Sequence, residues 1–190
     1  MIAAILLAAG GSSRFGRPKQ LVRIGGESLV SRAARVALES GCQPVVVVVG
    51  RDREKIATEL QDLPVTLVPN ETWIDGMGGS IRAGLQALPD CPAVVILVCD
   101  QPHVDAELIR CMIRTQEQTQ QPIVACAYAG TLGVPVLFAR DFFPELLSLS
   151  EQGGARSVLD AHPSAVAQIN FPEGEVDIDT PADYERLPED

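Results

Sequence analysis

Apolar runs and amphipathic stretches alternate along the whole chain. Residues 2–8, 45–49, 65–68 and 93–98 are nearly free of polar side chains, and β-branched residues dominate several of them. Runs of this length predict strands buried on both faces. Between them, residues 28–40, 51–60, 78–88 and 105–116 carry apolar positions at helical spacing; in the third stretch Ile81, Leu85 and Leu88 share one face. Gly41 ends the first helix, Pro44 precedes the second strand and Pro69 closes the third. The second half continues with strands at 123–127, 134–139 and 166–169, helices at 142–147 and 155–161, and a terminal helical turn at 181–186. Repeated strand–helix units predict the α/β class, a three-layer α/β/α sandwich around a mostly parallel sheet. The less regular second half predicts some antiparallel pairing. No repeat, low-complexity tract or linker interrupts the pattern, so residues 1–190 read as one domain.

Composition narrows the class. The chain is 46% hydrophobic and 21% charged, which is that of a soluble globular protein. Aromatics make up only 4%, so the core is built from Val, Leu, Ile and Ala. A net charge of −10 argues against nucleic acid, whose phosphate backbone needs a broad cationic face, and against anionic membrane surfaces. The five cysteines (Cys42, Cys91, Cys99, Cys111 and Cys126) are odd in number and form no C-x-x-C pair, as expected of reduced thiols in a cytoplasmic protein. The two histidines, His103 and His162, belong to no cluster of zinc-ligand spacing. The apolar start lacks a basic leader region and reads as a first strand, and no run approaches the ~18 apolar residues that span a bilayer.

Local charge is more informative than the sum. Residues 1–26 carry four cations (Arg14, Arg17, Lys19 and Arg23) and no anion, whereas the remainder carries 11 cations against 25 anions. The first three of these cations follow the first strand, in the stretch Leu-Ala-Ala-Gly-Gly-Ser-Ser-Arg-Phe-Gly-Arg-Pro-Lys from Leu7 to Lys19. The stretch matches neither the Walker A pattern nor the G-x-G-x-x-G fingerprint. Gly10 and Gly11 still allow backbone N–H groups to approach phosphate oxygens, Arg14 can fork onto them, and Lys19 supplies a point charge. An acidic chain with one cationic, glycine-rich corner is expected to hold a small polyphosphate there.

Ligands of open parallel sheets bind beyond the carboxyl ends of the strands. The first strand ends in the glycine loop, the third shortly before Asn70 and the fourth at Cys99-Asp100, and these ends are expected to be neighbours. Asp100 follows an apolar run, where a carboxylate is costly without a partner; Mg²⁺ beside a triphosphate is one, and capping of the next helix is the other reading. Asp177 and Asp179 alternate with apolar residues, so both project from one face of an extended segment. Either completes a metal site with Asp100, or both serve the helix start before Pro181. Asn70 to Ser80 reads as a loop entering a helix, where Ser80 and early N–H groups can meet a base, ribose or phosphate. Trp73 reads as a packing anchor. Cys99 has no histidine near it in sequence to act as its base, so it reads as a neighbour of the nucleotide, not a nucleophile.

Six motifs in order, LAAGGSSRFGRPKQL (7–21), N-x-x-W-x-x-GM-x-x-S (70–80), CDQP (99–102), G-x-P-V-L-F (133–138), GAR (154–156) and DIDTP-x-DY (177–184), resemble the MobA-like nucleotidyltransferases, in particular their molybdenum cofactor cytidylyltransferase (MocA-type) branch. The resemblance implies a Rossmann-like fold of the nucleotide-diphospho-sugar transferase type and Mg²⁺-dependent transfer of CMP from CTP to the terminal phosphate of molybdopterin. Ala9 and Cys99 stand where that branch favours CTP. Carried over by position, Arg14, Lys19 and Asp100 are the catalytic residues, and Asp100 with Asp179 holds the metal. The nucleotide would also meet Leu7, Ala8, Ala9, Gly10, Gly11 and Ser12 on the first loop, then Asn70, Gly76, Ser80 and Cys99. A molybdenum hydroxylase is the implied client. Phe15 replaces the usual Met, Val134 the frequent His, and Glu-Gln-Gly precedes GAR in place of Gly-Asp-x. The last two changes bear on the acceptor side. The rival expectations are transfer to another phosphorylated acceptor, a sugar or isoprenoid precursor, and a non-catalytic chaperone of the molybdenum cofactor.

Overall fold

The structure, a computed structural model, describes residues 1–12 and 15–186. The apolar opening run forms β1 (Ala3–Ala8). A hairpin of β2 (Arg23–Ile24) and β3 (Glu27–Ser28) follows; two-residue strands leave no apolar run, so the sequence pattern does not announce them. Ser28 then caps α1 (Leu29–Glu39) by accepting the amide of Ser31, and Gly41, at φ 90°, turns the chain out of the helix. The chain continues through β4 (Val45–Val49), α2 (Arg53–Glu59), β5 (Thr66–Pro69), α3 (Met77–Gln86), β6 (Ala93–Val98) and α4 (Ala106–Thr119). Then come β7 (Ile123–Tyr128), β8 (Thr131–Ala139), α5 (Phe143–Leu147), α6 (Ala155–Ala161), β9 (Val166–Asn170) and α7 (Pro181–Glu185).

Seven strands form one sheet in the order β5-β4-β1-β6-β8-β7-β9. All pairs are parallel except those of β8, which is antiparallel to both β6 and β7. This is the mostly parallel sheet of the nucleotide-diphospho-sugar transferase fold, with the antiparallel pairing confined to the second half. β8 begins three residues earlier than the sequence predicts, because past a register shift Thr131–Gly133 pair with Cys126–Tyr128. The expectation that the strand before Asn70 neighbours β1 is corrected. β4, with all five valines buried, takes the inner place, and the half-exposed β5 is left at the edge.

Side chains alternate across the sheet, so each continuous apolar run feeds two cores. Ala4, Leu6 and Ala8 pack with α1, α2 and α4 on one face; Ala3, Ile5 and Leu7 pack with α3, α5 and α6 on the other. β1, β4 and β6 run parallel, so their carboxyl ends share one edge, and Asp100 stands there beside the loop that leaves β1. Among the described residues, no helix is long and apolar enough to cross a membrane.

Candidate active site

The loop after β1 is closed by a side chain that the motif reading passes over. Gln20, 3% exposed, donates its amide to the carbonyls of Ala8 (3.0 Å) and Gly10 (2.6 Å) and accepts the Ser12 hydroxyl at 3.1 Å. The Ser12 oxygen in turn accepts the Lys19 amide at 3.0 Å. Ser12 is thereby committed to shaping the loop, at φ 50°. Its carbonyl takes the amides of Phe15 and Gly16. The only sequence signal for Gln20 is an amide placed directly after the lysine.

The closed loop aims Lys19 at two carboxylates. Its Nζ lies 2.5 Å from Asp100 Oδ2 and 2.8 Å from Asp179 Oδ1. Burial alone would lower the ammonium's pKa, but the Asp100 charge and the hydrogen bonds to both carboxylates overcome that and hold it above the usual lysine range. Asp179 reaches the site because Ile178 donates its amide to the Asp100 carbonyl at 3.0 Å and buries its side chain with Phe15, Val22 and Leu29. Neither acid is spent on helix capping: Asp105 caps α4, and Thr180 with Asp183 forms the capping box of α7. Asp177 is exposed overall, yet partial desolvation and the Asp100 and Asp179 charges push its pKa up to about 6.

Lys19 and Asp100 line a cleft of about 260 Å³ with Leu7, Ala9, Gly10, Gln20, Trp73, Gly76, Met77, Ser80 and Cys99. Of the remaining sequence candidates, Ala8, Gly11, Ser12 and Asn70 stand outside that lining, and Arg14 lies outside the described residues. Asn70 donates to Ser80 Oγ at 3.0 Å and accepts the Thr72 amide and hydroxyl, so this buried pair fastens the loop to α3. The amide of Gly78, early in α3, already donates to the Glu151 carbonyl at 3.0 Å. Burial pushes the Cys99 thiol up to about 12, with the Asp100 charge adding to it, which keeps it protonated and non-nucleophilic.

Gly11 also packs closely against an aromatic ring. A Cβ there would sit 2.6 Å from the Trp73 ring, and one on Gly50 would sit 2.8 Å from it. The indole is wedged between the β1 loop and the end of β4.

Residues 4–166 match the model of the MobA-like NTP transferase domain. The chain belongs to that family. It is a nucleotidyltransferase, and Asp179 is supplied by a segment beyond the matched region. A curated relative, nicotine blue oxidoreductase of Paenarthrobacter nicotinovorans, is 30% identical over 198 residues, covering 98% of this chain and 96% of its own. Rv0371c of Mycobacterium tuberculosis H37Rv superposes with a TM-score of 0.82 at 27% identity, covering 100% of this chain and 98% of that one. A second Rv0371c structure, a complex with manganese, gives a TM-score of 0.77 at 26% identity over 98% and 97% of the two chains.

Proposed function

We propose that this protein transfers CMP from CTP to the terminal phosphate of molybdopterin and releases pyrophosphate, serving a molybdenum hydroxylase. The supporting observation is the meeting of Lys19 with Asp100 and Asp179, with Lys19 and Asp100 lining a cleft together with residues of the first loop.

Among the described residues nothing hydrogen-bonds the buried Asp100 Oδ1, an oxygen that a hard cation satisfies. Among the described residues no set of three or more His, Cys, Asp or Glu side chains could hold a metal alone. Two carboxylates nonetheless suit Mg²⁺, which takes its remaining ligands from water and phosphate. Asp100 and Asp179 would hold it, and it would neutralise charge on the α-phosphate and the leaving pyrophosphate.

In the resting protein Lys19 is the counter-ion of both acids. Released from them, its flexible stem carries the ammonium onto the phosphates, with Arg14 as the second cation of the loop. An acceptor phosphate oxygen attacks the α-phosphorus in line, forming the new P–O bond. The α–β anhydride bond breaks, and its electron pair leaves on pyrophosphate. The attacking phosphate is already ionised, so no general base is needed. Both histidines stand apart from this step: His162 pairs with Glu145 at 2.8 Å, and His103 is exposed. Positioning and charge neutralisation carry the rate.

Pyrophosphate release is the test, measured with each NTP, Mg²⁺ and molybdopterin. Release with CTP and molybdopterin is expected. Release only with a sugar or isoprenoid phosphate assigns another acceptor, and tight pterin binding without release assigns a chaperone. The Paenarthrobacter relative's name raises a redox reading, which turnover of a reduced nicotinamide in place of CTP would establish. The absence of a G-x-G-x-x-G turn after β1 speaks against it.

A further inference from the structure

The Trp73 indole separates two hollows. On one side is the cleft of about 260 Å³ that contains Lys19 and Asp100; on the other is a surface cleft of about 510 Å³ lined by Gly50 to Lys55 and Glu71. Trp73 lines both. The ring is held in place from several directions. Any side chain at Gly11 or Gly50 would meet it, and the turn leading to it is pinned by Asn70, whose Oδ1 accepts the Thr72 amide and hydroxyl at 3.1 Å. Ligand pockets commonly span roughly 300–1,000 Å³, so the cleft falls just below that range. Trp73 is the residue that the two linings share, so removing its ring is expected to join the hollows.

We propose that Trp73 is a specificity-determining residue, the wall that restricts the nucleotide cleft to a small, pyrimidine base. The inference rests on the nucleotide reading of the cleft given above. It assigns the ring a part distinct from that of Lys19 and Asp100: they act on phosphates common to every NTP, whereas the wall sets which base fits.

Equilibrium affinities for CTP and GTP with Mg²⁺, measured on the wild type, Trp73→Ala and Trp73→Phe, test this without an acceptor. The wild type is expected to favour CTP. Trp73→Ala is expected to narrow that preference by roughly tenfold or more, the scale of discrimination that pocket shape provides, and Trp73→Phe is expected to retain most of it. Equal weakening toward both nucleotides in Trp73→Ala makes the ring purely structural and overturns this inference alone, as does a wild type that favours GTP. A wild type that binds no NTP overturns the nucleotide reading as well. If Trp73→Ala fails to fold, Trp73→Leu, which keeps an apolar plug, replaces it in the same comparison: a narrowed preference supports the wall, and equal weakening overturns it.

Discussion

Lys19 Nζ and Asp100 Oδ2 lie 2.5 Å apart although 81 residues separate them in sequence. The contact joins the loop leaving β1 to the end of the adjacent strand β6, and Asp179 completes it from the C-terminal segment. The arrangement shares one cation between two acids. Lys19→Ala is expected to lower turnover by roughly 10²–10³, the usual cost of one aimed electrostatic donor. Pyrophosphate release at saturating CTP measures it, and near-wild-type turnover would remove Lys19 from the mechanism.

The ammonium and a divalent cation compete for the same oxygens. Without nucleotide, Lys19→Met should bind Mn²⁺ more tightly than the wild type, and Asp100→Asn more weakly. Titration of the free-ion spin signal reads both. Equal affinities across the three proteins would place the metal elsewhere.

Cys99 gives a pH signature. Its folded pKa, pushed up to about 12, exceeds the ordinary thiol value of 9.0, so the folded protein holds this proton more tightly than the unfolded chain. Stability from this group is therefore intact below about pH 9 and is lost as pH rises through the window up to 12. Cys99→Ala should flatten the alkaline fall in melting temperature. At pH 8, iodoacetamide should label the partly buried Cys111 before Cys99.

Much of this architecture can be read in the chain, because β1, β4 and β6 are apolar runs that read as buried strands and because a carboxylate at a strand end stands out. What escapes has a physical reason. The inner position of β4 depends on which strand hides more surface, a comparison between segments that no single segment encodes. Gln20 acts through backbone carbonyls, and any buried amide in the right place serves equally. The packing demand at Gly11 is invisible in sequence, because Trp73, which occupies the space of its Cβ, is distant along the chain.

Trp73 is the chain's single tryptophan and it lines the cleft. Its fluorescence should change on adding CTP with Mg²⁺ and saturate as the site fills. An unchanged spectrum at saturation would put the nucleotide away from the ring.

Gly76 has φ 142°, and a Cβ there would collide with the Glu151 backbone. Gly76→Ala is expected to destabilise the fold by more than about 1 kcal/mol, because both the conformation and the close approach forbid the methyl group. Urea unfolding checks it, and an unaltered midpoint would contradict the packing of this turn.

The tie between Ile178 and Asp100 has a consequence for biosynthesis. Synthesis up to residue 176 supplies every strand of the sheet together with Lys19 and Asp100, and only the last stretch to leave the ribosome brings Asp179 to them.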